Sequence, residues 1–66
     1  MKIIINGKEK ELTENLKLKD TVEQFCKDSR HVIAELNGKI VKQNFWDNTT
    51  LKNGDAIELV NFVGGG

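Results

Sequence analysis

A chain of 66 residues is expected to form one domain that buries only about 60% of the surface its unfolded form exposes, leaving little room for a catalytic cleft beside a core. Ten Lys plus Arg balance ten Asp plus Glu and alternate with them along the chain, so the basic stripe that a nucleic-acid partner would require is missing. The single cysteine, Cys26, closes no intramolecular disulfide; the run Ile3-Ile4-Ile5 is too short for a secretory signal, and no stretch approaches the roughly 20 apolar residues of a bilayer span. The expectation is a soluble protein of the reducing cytoplasm, with no nucleic acid and no membrane among its partners.

Lys2 to Asn6 is short and β-branched, and Asn6-Gly7 follows it, a pair that tolerates the positive φ of a tight hairpin turn. Lys8 to Leu12 then returns as a second strand whose charges keep one face or edge in water. Thr13 to Asn15 reads as a loop. Thr21-Val22-Glu23-Gln24 fits a capping box and predicts a helix starting at Thr21, with Leu18 before it and Val22, Phe25 and Cys26 on its apolar face. Asp28 to Arg30 should end it. Val32 to Leu36 is a third strand, Asn37-Gly38 a second hairpin turn, and Lys39 to Val41 a short fourth strand. Phe45 and Trp46, in a polar stretch without strand alternation, are expected to plug the core edge from a turn. Asn53-Gly54-Asp55 turns the chain into a last strand, Ala56 to Val63, with Ile57, Leu59 and Asn61 on one face. The order ββαβββ predicts an α+β fold, a sheet of four or five strands covered on one face by a short helix.

Catalytic constellations are sparse. One His and one Cys cannot fill a tetrahedral metal site, so no metal is expected; His31 reads as a surface or strand-edge residue and Cys26 as a small core hydrophobe. Glu9 and Glu11 share a strand face, Glu14, Asp20, Glu23 and Asp28 are scattered, and Asp55 suits a turn where its side chain bonds the local backbone. The end of the sequence differs. Gly64, Gly65 and Gly66 have no packing use, because glycine adds nothing to a core and loses the most entropy on ordering. They read either as a frayed end or as a slender tail that carries a carboxylate roughly 10 Å beyond the last strand, into another protein's active site.

The whole chain resembles the ThiS family of sulfur carriers: an opening strand running into Asn6-Gly7, Thr21-Val22, the stretch Val32 to Val41 followed by Trp46, Leu51 with Gly54-Asp55, and the final Gly65-Gly66. The order, spacing and length carry the resemblance together. It implies a ubiquitin-like β-grasp fold over residues 1–63, with first and last strands adjacent in mid-sheet, and a flexible glycine tail over 64–66. It further implies that the chain is not an enzyme and binds no cofactor. A ThiF-like adenylating enzyme would use ATP to activate Gly66, sulfur from a sulfur-donor enzyme would convert it to a thiocarboxylate, and a ThiG-like thiazole synthase would take the sulfur for thiamine biosynthesis. Gly65 and Gly64 would be the tail that enters those active sites. The small subunit of molybdopterin synthase, or another thiocarboxylate carrier, is the nearest alternative. From a different class, a non-covalent ubiquitin-like binding module would recognise its partner through Ile4, Ile33 and Phe62 on the open face of the sheet.

Overall fold

The structure, a computed structural model, describes residues 1–26 and 28–62. Strand β1 (Lys2–Ile5) turns at Asn6-Gly7 into β2 (Lys8–Glu11); helix α1 (Leu18–Phe25) follows, then β3 (Val32–Leu36), β4 (Lys39–Val41) and β5 (Ala56–Asn61). The five strands form one mixed sheet in the order β2-β1-β5-β3-β4, in which β1 and β5 run parallel in the middle and all other pairs are antiparallel. This is the ubiquitin-like arrangement, with first and last strands side by side.

Both two-residue hairpins form as read. Asn6 and Gly7 have φ of 50° and 81°, and Asn37 and Gly38 have 52° and 86°, the paired positive values that a tight turn of right-twisted strands demands. The asparagines also clasp the last strand from either side: the Asn6 Oδ1 accepts from the Leu59 amide at 2.8 Å, and the Asn37 Oδ1 from the Ala56 amide at 2.9 Å. Asp55 does what its turn requires, its Oδ2 accepting from the Lys52 amide at 2.8 Å.

Alternation then sorts each strand. Ile3 and Ile5 from β1, Val32 and Ala34 from β3, and Ile57 and Leu59 from β5 point to one face and are buried under Leu18 and Val22 of α1, with Leu51 and Trp46 closing the core. All four residues of β2 are exposed, as suits a charged edge strand.

Four expectations are corrected. The helix begins at Leu18, three residues before the Thr21 box. Its first turn is fixed by Asp20, whose carboxylate accepts from the Lys17 amide at 3.0 Å; an ammonium has no lone pair, so Lys17 cannot supply the other half of a box. Thr21 is instead wholly buried inside the helix, its hydroxyl donating to the Lys17 carbonyl at 3.4 Å. Second, Phe25 is 39% exposed. It lies on the helix's apolar face, seven residues after Leu18, but in the last turn, where it lines an open groove with Ile5 and Leu59. Cys26, half-buried against the core, is already extended and ends the helix. Third, of the expected aromatic plugs only Trp46 serves. Within the short 3-10 segment Gln43–Asn48 its indole is 3% exposed and its Nε1–H donates to the Val41 carbonyl at 2.8 Å, whereas Phe45 is 54% exposed. The last strand also stops at Asn61, an exposed residue, and Val63 lies outside the described residues.

These placements set the order of mutational costs. Trp46→Ala should destabilise by about 3–5 kcal/mol, Phe25→Ala by about 1 kcal/mol, and Phe45→Ala by at most about 0.5 kcal/mol. Urea unfolding of the three variants measures this, and equal losses at Phe45 and Trp46 would refute the packing.

Candidate functional site

Strand β5 lies in mid-sheet, paired with β3 from Ile57 to Asn61 and with β1 at Ala56 and Ile57. The hold extends one residue past the strand: the Phe62 amide donates to the His31 carbonyl at 2.9 Å. Gly64, Gly65 and Gly66, the sequence's candidate reactive tail, lie outside the described residues.

The open face of the sheet, opposite α1, carries the apolar residues named from sequence, but it does not gather all of them. Register puts Ile33 directly opposite Val60, and continuing the alternation of β5 brings Phe62 to the same face two residues on. Ile4 is opposite Ala56, four residues from Val60 along the strand, or roughly 13 Å. The directly opposed carboxylates Glu35 and Glu58 come between. Ile33 and Phe62 therefore form a patch at the base of the tail, while Ile4 sits at the other end of the face. Val60, 52% exposed between them, was missed. Its signal was present, since inward Ile57 and Leu59 force Val60 outward, but its neighbours depend on which strands pair.

Beside this patch the 3-10 segment Ser29–His31 holds a charge cluster. The Asp28 side chain caps it by accepting from the Arg30 amide at 3.1 Å, accepts from the Arg30 guanidinium at 3.1 and 3.2 Å, and lies 3.2 Å from the His31 Nδ1. The His31 ring meets Phe62 edge-on, centroids 5.7 Å apart. Hydrogen bonds from the Arg30 side chain, and then from its backbone amide, hold the Asp28 carboxyl down at about 2, below its ordinary 3.8.

No group of three His, Cys, Asp or Glu is placed to hold a metal among the described residues. Burial pushes the Cys26 thiol up, away from the thiolate form a nucleophile needs. Among the described residues no helix is long and apolar enough to cross a membrane.

Fold and strand order together define a small ubiquitin-like β-grasp domain. The chain belongs to the ThiS family, whose model matches residues 3–66. A crystal structure of the thiamine biosynthesis protein ThiS from Geobacter metallireducens is similar to it with a TM-score of 0.87 at 33% identity, covering 100% of both chains. A solution NMR structure of a thiamine biosynthesis protein from the same organism gives a TM-score of 0.81 at 33% identity, covering 100% of this chain and 88% of the other. A thiazole synthase of Paramagnetospirillum magneticum is 33% identical over 66 residues; the match spans this whole chain but only 20% of that protein. The uncharacterized protein ycf40 of Trieres chinensis is 36% identical over 62 residues, 94% of this chain and 85% of its own. Membership in the family and the ThiS neighbours support a sulfur carrier of thiamine biosynthesis.

The Asp28 cluster predicts a specific acid response. A carboxyl whose folded pKa is depressed contributes stability that is fully present above its ordinary value and is lost as pH falls through the folded value. Between about pH 4 and pH 2 the native chain should therefore lose an increment of thermal stability that the Asp28→Asn variant lacks. Thermal melts of both proteins across that window measure it, and parallel curves would refute it.

Proposed function

We propose that this chain carries sulfur for thiazole formation as a thiocarboxylate on Gly66. The observation that carries this reading is the family match, which runs through the final glycines to Gly66. The fold supports it, because a tail that follows a central strand is presented from a firm base.

The chemistry divides between this chain and its partners. An α-carboxyl with a pKa of about 3.5 is ionised at neutral pH and is a poor electrophile. In a ThiF-like enzyme its oxygen attacks the α-phosphorus of ATP and pyrophosphate leaves. A persulfide sulfur on a donor enzyme then adds to the acyl carbon, AMP departs with the bonding electrons, and a thiol cleaves the S–S bond of the resulting acyl disulfide, freeing the thiocarboxylate as a new disulfide forms. The thiocarboxylate is a soft nucleophile ready for a thiazole synthase, an assignment favoured by the thiazole synthase that contains a matching segment. Gly65 and Gly64 supply a tail without Cβ atoms, slim enough for a narrow channel. In this reading residues 1–63 are the folded carrier and 64–66 the tail, ATP belongs to the activating enzyme, no cofactor is bound, and the site of action is the cytoplasm. The patch of Ile33, Val60 and Phe62 is the surface that docks on the activating enzyme, being the exposed apolar area nearest the tail.

Removing Gly66 should abolish ATP–pyrophosphate exchange with the cognate activating enzyme and the replacement of oxygen by sulfur in the intact mass, while the thermal transition stays nearly unchanged. Gly65→Val should impair the same reaction, since a β-branched side chain both stiffens and widens the tail. A full-length chain that acquires neither adenylate nor sulfur, and behaves like its truncated form, would end the carrier reading in favour of a non-covalent module.

Cys26 should be dispensable. With its thiol kept neutral by burial, Cys26→Ala should retain sulfur loading with only a modest loss of stability. Loss of thiocarboxylate in a folded Cys26→Ala protein would contradict this.

A further inference from the structure

The face opposite the proposed docking patch holds a second feature. Where α1 ends, a groove of about 510 Å³ opens between the helix terminus and the β2 edge of the sheet. Its floor is apolar, formed by Ile5 of β1 and Leu59 of β5. One wall is Phe25 and Cys26, and the other is Lys8 and Lys10 of β2.

Three observations point to an occupant. Lys8 lies opposite Ile5 and Lys10 opposite Ile3, so both lysines lean to the helix side, while Glu9 and Glu11 lean to the open face. Neither lysine makes an ion pair among the described residues. Phe25, on the apolar face of its helix, is left 39% exposed along the facing wall. Charge on an edge strand guards against sheet-to-sheet aggregation whatever its sign. That protective role does not require two uncompensated cations on one side, above an apolar floor and across from an aromatic ring.

We propose that this groove binds an extended segment of a partner protein in which carboxylate and aliphatic side chains alternate. Lys8 and Lys10 are two residues apart on a strand, roughly 7 Å, which is the spacing of residues i and i+2 of an extended peptide. Such a peptide sends alternate side chains to opposite walls. Carboxylates at i and i+2 would meet the lysines, and aliphatic residues at i+1 and i+3 would pack on Phe25, Cys26 and Leu59. The side-chain Nδ2 of Asn6, whose Oδ1 is committed to the Leu59 amide, remains to donate to the peptide backbone. A partner held here leaves Ile33, Val60 and Phe62 uncovered, so the domain could be retained by one protein while its open face engages another. The inference concerns the folded domain alone and stands or falls independently of chemistry at Gly66.

The test is an NMR titration of the full chain with the capped peptide Glu-Leu-Glu-Leu, and with Gln-Leu-Gln-Leu and Glu-Glu-Leu-Leu as controls. The expected result is saturable shifts at Ile5, Leu59 and the Phe25 ring, with none at Ile33 or Val60. Affinity should fall as salt is raised, and binding should be at least about tenfold weaker for either control peptide. The double variant Lys8→Gln, Lys10→Gln changes only exposed side chains and should lose binding with an unchanged melting transition; Phe25→Ser should weaken it as well. Absence of saturable shifts, equal binding of the glutamine peptide, shifts confined to the open face, or full binding by the lysine double variant would each overturn the proposal.

Discussion

The fold depends on the parallel pairing of β1 with β5. Each outer hairpin, β1–β2 and β3–β4, would be marginal alone in water. They become one sheet because the first and last strands meet across nearly the whole sequence. Ladder bonds join the Ile4 amide to the Asp55 carbonyl and the Asn6 amide to the Ile57 carbonyl, both at 2.9 Å. Three clasps reinforce them: the Lys2 amide to the Asn53 Oδ1 at 2.7 Å, the Gly54 amide to the Lys2 carbonyl at 2.7 Å, and the Leu59 amide to the Asn6 Oδ1 at 2.8 Å. Loop closure on that scale is entropically costly and is repaid only when Ile3, Ile5, Ile57 and Leu59 are buried together under Leu18 and Val22.

The same sheet order sets how firmly the end of β5 is held. A last strand at the sheet's edge would be held on one side only; this one is bonded to β1 and the Asn6 side chain as far as Leu59, and on the β3 side as far as Phe62. On the proposed carrier reading, the tail chemistry needs no cleft in this domain, which would contribute a point of departure and a surface for partner enzymes; that suits a chain too small to bury both a core and an active site.

The two faces of the sheet are chemically distinct as a consequence of alternation in a mixed sequence. On β2, Lys-Glu-Lys-Glu sends both lysines to the helix side and both glutamates to the open side. The open face adds Glu35 against Glu58, a like-charged cross-strand pair that costs stability, surrounded by exposed Ile4, Ile33, Ile40 and Val60. A solvated face has no need of that many large apolar side chains.

Local chemistry was legible in the sequence. The positive φ at Asn6-Gly7 and Asn37-Gly38, the bounds of β3 and β4, the inward set Ile3, Ile5, Ile57 and Leu59, and the family resemblance all follow from residue type and spacing. Features that depend on what lies across the fold were not. Thr21 looked like a cap because its hydroxyl suits one, yet that position is wholly buried and Asp20 takes over the helix start. Phe25 has the spacing of a core residue and Phe45 the size of one, but one lines an open groove at the end of the helix and the other lies in a 3-10 turn that buries Trp46 instead, so both remain exposed. Likewise, Ile33, Val60 and Phe62 are outward residues by alternation alone, whereas their union into one patch, and the separation of Ile4 from it, came only with strand order and register. Sequence fixes which way a side chain points on its own strand; only long-range pairing decides which other side chains it meets.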